Sequence, residues 1–373
     1  MQIPPFKLER YFAKYEFNVD YVLCSSDCES WTIAELLAYE ANAQDQFEQH
    51  WLGYTESPGS LSLRREICNI YTTIEPDQVL VHTGAEEAIF LFMHAVLESN
   101  DHIIVHWPCY QSLVEIARNI GCEVTLWQAH EEFGWSLDPD ELKRHIKPNT
   151  KVIVLNTPHN PTGYHLSHEI FHEVNRIAQL NGIILFCDEV YREAEYQLSD
   201  RLPAACDLGE QAVSLGVMSK TYGLAGLRIG WIATHNSAIY KAMSKLKDYT
   251  TICNSAPSEY LAELALRHRD TLVKRNVGII KRNLVVLDEF FERHIDKFEW
   301  QRPQAGPIAF PRLIGEDITS FCTNLVHKAN VLLLPGTVYD DLANHFRIGF
   351  GRKNLPEAVA RLENYLNKDG FND

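Results

Sequence analysis

From Val79 onward the chain alternates between two patterns. Short apolar runs stand at Val79–His82, Ile103–His106, Glu123–Leu126, Lys151–Asn156, Ile183–Asp188, Ala212–Met218 and Ile229–Ala233. Between them lie longer stretches whose apolar positions recur at helical spacing, Glu86–Glu98, Gln111–Ile120 and His168–Leu180 among them. Continuously apolar strands leave no face for water, so the pattern predicts a mostly parallel sheet covered by helices on both faces. The expected fold class is α/β: a large domain with a mostly parallel seven-stranded sheet between helices, and a smaller α+β domain.

The flanking regions read differently. Leu8–Tyr15 alternates charges and aromatics at roughly helical spacing, Tyr21–Cys24 is extended, and Trp31–Phe47 reads as one helix. A Gly/Pro loop, Trp51–Ser60, precedes a helix over Leu61–Tyr71. Beyond residue 240, helices are expected at Ser258–Arg267, Leu272–Ile279, Leu284–His294, Ile318–Ala329 and Pro356–Leu366. Extended pieces lie near Pro307–Leu313, Val331–Leu334 and His345–Phe350. The expected division is a large domain over 41–257 and a discontinuous smaller one built from 1–40 and 258–373.

A length of 373 residues exceeds one simple core, in keeping with two domains. A formal charge of −16 speaks against nucleic acid or an anionic membrane as partner. No apolar run approaches the ~18 residues of a membrane span, and the first residues lack the basic start and apolar core of a signal peptide. The nine cysteines are odd in number and scattered, which favours free thiols and a cytoplasmic location. Cys24 and Cys28 form a C-x3-C without a second ligand pair, so no metal site is expected.

In sheets of this kind ligands sit beyond the carboxyl ends of the strands, and four loops there carry chemistry. Thr83-Gly84-Ala85 opens a helix whose N–H groups and dipole suit a phosphate. Asn156-Thr-Pro-His-Asn-Pro-Thr-Gly163 is a double-proline turn that fixes Asn160. Asp188 ends a fully apolar run, where a carboxylate is costly without a partner, and Tyr191 follows three residues on. Lys220 comes straight after Ala212–Met218; burial there lowers an ammonium's pKa and frees the amine as a nucleophile. Arg228, beyond Gly223 and Gly226, suits a two-pronged grip on phosphate. Taken singly, each has a plain structural reading: a turn, a capped carboxylate, a surface lysine, an ion pair. Their convergence on neighbouring strand ends points to pyridoxal phosphate, whose aldehyde binds lysine and whose ring is an electron sink.

The chain resembles the fold-type I pyridoxal-phosphate enzymes, the class I/II aminotransferase family, over nearly its whole length. Asn160-Pro-Thr-Gly163, Asp188-x-x-Tyr191, Ser219-Lys220 with Arg228 eight residues on, and Phe346-Arg347-Ile-Gly-Phe-Gly351 stand in the family's order. The resemblance implies that Lys220 carries the cofactor as a Schiff base and shuttles a proton between substrate Cα and the cofactor's C4′. By the same resemblance Asp188 pairs with the pyridinium nitrogen, Asn160 and Tyr191 with the 3′ oxygen, and Tyr110 stacks on the ring. Gly84, Ala85, Ser219 and Arg228 would hold the phosphate, and Tyr54 would reach the phosphate of a neighbouring subunit, which implies a homodimer with shared active sites. Arg347 would clamp the substrate α-carboxylate, with Asn160 beside it. Departures are Val217, where a second phosphate serine is usual, and Cys24-Ser-Ser-Asp27 in place of a glycine-containing loop. No arginine aligns with the distal-carboxylate residue of aspartate-specific members, which disfavours a dicarboxylic substrate.

Leu8–Phe12, Pro108–Leu113 and Ala305–Arg312 are similar to the capreomycidine synthases, which eliminate a β-hydroxyl and cyclise a guanidino amino acid. Three expectations result. The first is an aminotransferase that moves an amino group between an α-amino acid and a 2-oxo acid. The alternative is a lyase or cyclase acting on a β-substituted amino acid, a guanidino one among them. The third is a non-catalytic binder of a phosphorylated ligand. Against the last, neither G-x-G-x-x-G after a strand nor a P-loop is present.

Overall fold

The computed structural model describes residues 3–340 and 343–369. The seven apolar runs form one sheet: β1 (Val79–His82), β2 (His102–Trp107), β3 (Glu123–Gln128), β4 (Thr150–Asn156), β5 (Ile184–Asp188), β6 (Ala212–Val217) and β7 (Gly230–Ala233). Their spatial order is β1-β7-β6-β5-β4-β2-β3. All pairings are parallel except the two that β7 makes with β1 and β6. A parallel neighbour needs a long crossover, whereas the loop from β6 to β7 holds only one short turn of helix, Ala225–Leu227, so the chain returns antiparallel.

Alternate residues of each strand feed opposite faces, as the two-residue period requires. Ile104, Ile153 and Leu155 pack with Phe171 and Val174 of the helix His168–Leu180. Ile103, Val105, Val152 and Val154 pack with the helices Gly84–Val96 and Ser112–Ile120. The sheet is thus buried on both sides, and its polar strand ends are held in a rigid frame.

The second half of the chain gathers around another core, in which Leu23 joins Leu284, Phe321, Phe346 and Leu362. Tyr21–Val22 pairs in parallel with Val331–Leu332. Phe346–Gly349 is the middle strand of a three-stranded sheet with Ile308–Ala309 and Leu334–Pro335.

Three expected helices need correction. Trp31–Phe47 is two short helices, Ile33–Leu37 and Ala43–Glu48. Between them Glu40 is drawn to Arg267 and His268, and Tyr39 stacks on the His268 ring, so tertiary contacts interrupt the helical run. Conversely, Leu272–Ile279 and Leu284–His294 are one helix, Arg269–Arg293. The polar interval between them is not a break, because buried Asn283 donates to Phe350 O and Arg352 O.

Candidate active site

The carboxyl ends of β4, β5 and β6 open on one cavity of about 410 Å³. Sheet register sets Asn156 opposite Asp188. Asn156 then fixes the double-proline turn from both sides: its Nδ2 donates to Asp188 O at 2.9 Å, and its Oδ1 accepts from Asn160 N at 2.7 Å. Of the residues singled out from sequence, Ala85, Tyr110, Asn160, Asp188, Tyr191, Ser219, Lys220, Arg228 and Arg347 all line this cavity. Gly84 lies directly behind Arg228. Tyr54 lies elsewhere, 87% exposed, in a separate hollow with Trp51 and Tyr260.

Asp188 is buried, and among the described residues its Oδ1 accepts only the Val190 N–H, at 3.2 Å. Burial pushes its carboxyl up to about 7, against the pull of that bond and of Lys220. Such a carboxylate favours a cationic partner. Lys220 donates to Ser26 Oγ at 2.8 Å. Burial lowers its pKa, while Asp27 and Asp188 oppose the shift and Arg347 reinforces it. A larger fraction of the amine is therefore neutral than on a surface lysine.

Arg347 is 1% exposed, and its hydrogen bonds determine which edge of the guanidinium is free. Nε and Nη2 both donate to Cys24 O, at 3.1 and 2.9 Å, and Nη1 donates to Tyr339 Oη at 2.7 Å. Nη1 also donates to Asn160 Oδ1 at 3.3 Å, which keeps the guanidinium fork beside the double-proline turn. Five N–H groups less these four leave one on Nη2, the side of the fork open to a carboxylate.

At the other end, Gly84 opens the helix Gly84–Val96 with φ +81°, and a Cβ there would lie 2.6 Å from Arg228 Nη2. Glycine thus lets a guanidinium rest against the start of a helix, a cradle for an anion. Arg228 Nη1 stands 3.5 Å from Ser219 Oγ, so Ser219 faces the same cradle.

Several cavity residues escaped the sequence reading. Glu9, Phe12 and Glu16 recur at helical spacing along the helix Lys7–Tyr15 and its cap, and all three line the cavity. Tyr110 Oη donates to Glu9 at 3.2 Å. Burial raises the Glu16 carboxyl, with Arg352 opposing. Glu86 also lines the cavity and is pushed up to about 7 by burial, against a hydrogen bond from Ser112. The stripe Glu9–Phe12–Glu16 was present in the sequence; what it faces was not.

Residues 23–362 match the family described as Aminotransferase class I and II. The chain belongs to that family. Over 98% of its length this class I/II aminotransferase chain is 26% identical to the capreomycidine synthase of Streptomyces vinaceus, 94% of which it covers. It superimposes on the crystal structure of a PLP-dependent aminotransferase from Streptococcus suis with a TM-score of 0.93, at 30% identity and full coverage of both chains. It superimposes on the PLP-dependent cyclase OrfR with a TM-score of 0.90, at 28% identity, covering 99% of this chain and 98% of that one.

The cofactor of this class I/II aminotransferase chain is pyridoxal phosphate, and the donor set fits it. An amine, a buried carboxylate in want of a cation and an arginine-glycine cradle are what the aldehyde, the ring nitrogen and the phosphate require.

Proposed function

We propose that the chain is an aminotransferase that moves an amino group between an α-amino acid and a 2-oxo acid. When bound, pyridoxal phosphate supplies an aldehyde for the amine and a ring that accepts the electron pair of the broken Cα–H bond. The protein's own residues do the rest. The Arg347 fork binds the α-carboxylate and so sets the direction of Cα–H. Lys220, kept partly neutral by burial, takes that proton and returns it. With the cofactor bound, Asp188 would offer its carboxylate to the ring nitrogen, Asn160 and Tyr191 would serve the 3′ oxygen, and Tyr110 would pack on the ring. Arg228, Ser219 and the helix start at Gly84-Ala85 hold the phosphate.

The observation that carries this reading is the placement of Lys220, Asp188 and Arg347 around one cavity, with one N–H of Arg347 Nη2 left over for a carboxylate. Exposed Trp51, Leu52 and Tyr54 on one segment support a homodimer in which Tyr54 enters the other copy's site. The shared core and the strand pair Tyr21–Val22 with Val331–Leu332 support a closing domain of 1–40 and 258–373 against 41–257. Nine free cysteines support a cytoplasmic setting.

The test is colour. Protein loaded with pyridoxal phosphate should show a visible absorption band that Lys220→Ala lacks, and a colourless protein that takes up no cofactor sinks the proposal. A single amino acid added without any 2-oxo acid should abolish the band in one stoichiometric step.

A second reading, elimination and cyclisation of a β-substituted guanidino amino acid, is favoured by one observation. With Arg228, Asp188 and Arg347 assigned to cofactor and carboxylate, the wall formed by Glu9 and Glu16 remains acidic and suits a distal cation. The same cavity residues serve both reactions. Repeated turnover with retention of the band and release of a cyclised product would select the cyclase.

A further inference from the structure

Lys220 must hold its amine over the cavity, and it donates to Ser26 Oγ, 194 residues away in sequence. Ser26 belongs to the loop Cys24–Asp27, and both ends of that loop are tied to the segment that carries the carboxylate clamp. Cys24 O accepts two N–H groups of Arg347. Asp27 accepts two from Arg352, at 3.0 and 2.9 Å. Gly349 lets the two backbones touch, since a Cβ there would collide with Ser25 O. The depth of Ser26 in the cavity is therefore set by backbone packing, and its hydroxyl is free to serve the lysine.

A serine hydroxyl has one proton to donate and two lone pairs to offer. Lys220 engages one lone pair, and the same hydroxyl counteracts part of the rise that burial imposes on the Tyr191 phenol. We propose that Ser26 is a positioning residue for Lys220, holding one N–H of its amine so that the lone pair faces the Cα of a substrate bound at the Arg347 fork. The inference rests on the cofactor-enzyme reading for the identity of that Cα; the contact itself does not. It also ties substrate binding to the base, because Cys24 O brackets the same arginine that binds the carboxylate.

Asp27, Asp188, Glu9, Glu16 and Arg347 are charged groups that act on Lys220, and all remain when Ser26 is changed. Loss of the Ser26 oxygen removes an acceptor that favours the ammonium form, so Lys220 should titrate lower. The experiment has two arms. In cofactor-free protein, acetylation of Lys220 is followed against pH by peptide mass spectrometry. The midpoint should fall by about one unit in Ser26→Ala, and in Ser26→Gly should alanine compromise folding. In loaded protein, Ser26→Ala should lower kcat about tenfold, the loss of one hydrogen bond, with KM for the amino acid within about twofold. Ser26→Thr, which keeps the hydroxyl, should recover most of that loss. An unchanged labelling midpoint, or a kcat loss that Ser26→Thr repeats in full, overturns the role. If wild-type protein binds no pyridoxal phosphate the assigned reaction fails, while the labelling arm still decides Ser26.

Discussion

Tyr339 and Arg347 are joined by a 2.7 Å hydrogen bond between two buried side chains, and the phenol donates onward to Asn160 Oδ1 at 3.1 Å. One hydroxyl thus holds the Arg347 guanidinium and fixes which way the Asn160 amide points. Tyr339→Phe removes one partner each from Arg347 Nη1 and Asn160 Oδ1 and leaves them only their mutual 3.3 Å contact, a cost of about 1–3 kcal/mol for buried groups. The dissociation constant of an amino acid, titrated through the visible band, should rise about tenfold. Unchanged affinity removes Tyr339 from this role.

The cradle at the start of the helix Gly84–Val96 makes a separate prediction. Gly84→Ala places a Cβ against Arg228 and forces alanine into φ +81°, a strain of about 1–2 kcal/mol before any clash. Pyridoxal phosphate should bind at least about tenfold more weakly to the cofactor-free variant. Gly182→Ala is the control: its φ is +64°, but nothing lies within 4 Å of the added carbon. It should lose stability and keep its cofactor affinity.

Much of this was legible in the chain because buried strands must be apolar throughout. That constraint marked six of the seven strands, the edge strand Glu123–Gln128 being only partly buried, and placed Asp188 and Lys220 at strand ends. Other features depend on contacts that no local pattern encodes. Tyr339 meets Asn160 across 179 residues, and Ser26 meets Lys220 across 194. Charges and aromatics at helical spacing over Leu8–Tyr15 do not show what they face, and the helix Lys7–Tyr15 sets Glu9 and Glu16 on the cavity. The missed helix break at Tyr39–Glu40 has the same origin, since Arg267 and His268 supply the force from far along the chain.

Asp188 gives a prediction in pH. Its folded pKa, about 7, lies above its ordinary value of 3.8. The protonated acid is therefore favoured by folding below the ordinary value, and that contribution is lost as pH rises through 7. A gap of this size corresponds to roughly 4 kcal/mol. Cofactor-free Asp188→Asn cannot ionise there, so it should resist denaturant better than wild type at pH 8. The difference should shrink from pH 7 downward and vanish near pH 4. Parallel curves for the two proteins across this range would mean that Asp188 keeps its ordinary pKa.

The acidic wall can be tested by substrate choice. Glu16 lies two helical turns beyond Glu9, on the stripe that lines the cavity, and Phe12 between them faces the Arg347 guanidinium at 5.9 Å. A substrate held by its carboxylate at Arg347 presents its side chain to a surface that carries two carboxylates. Partial burial raises the Glu16 carboxyl, and a substrate cation would lower it again. A charge-assisted contact in such a site is worth about 1.5–3 kcal/mol. Glu16→Gln should therefore raise KM for arginine about tenfold or more and leave KM for alanine within about twofold. Glu9→Gln should act in the same direction, and also frees the Tyr110 hydroxyl, which now donates to Glu9. Equal changes for both amino acids would show that these carboxylates shape the cavity without reading the side chain.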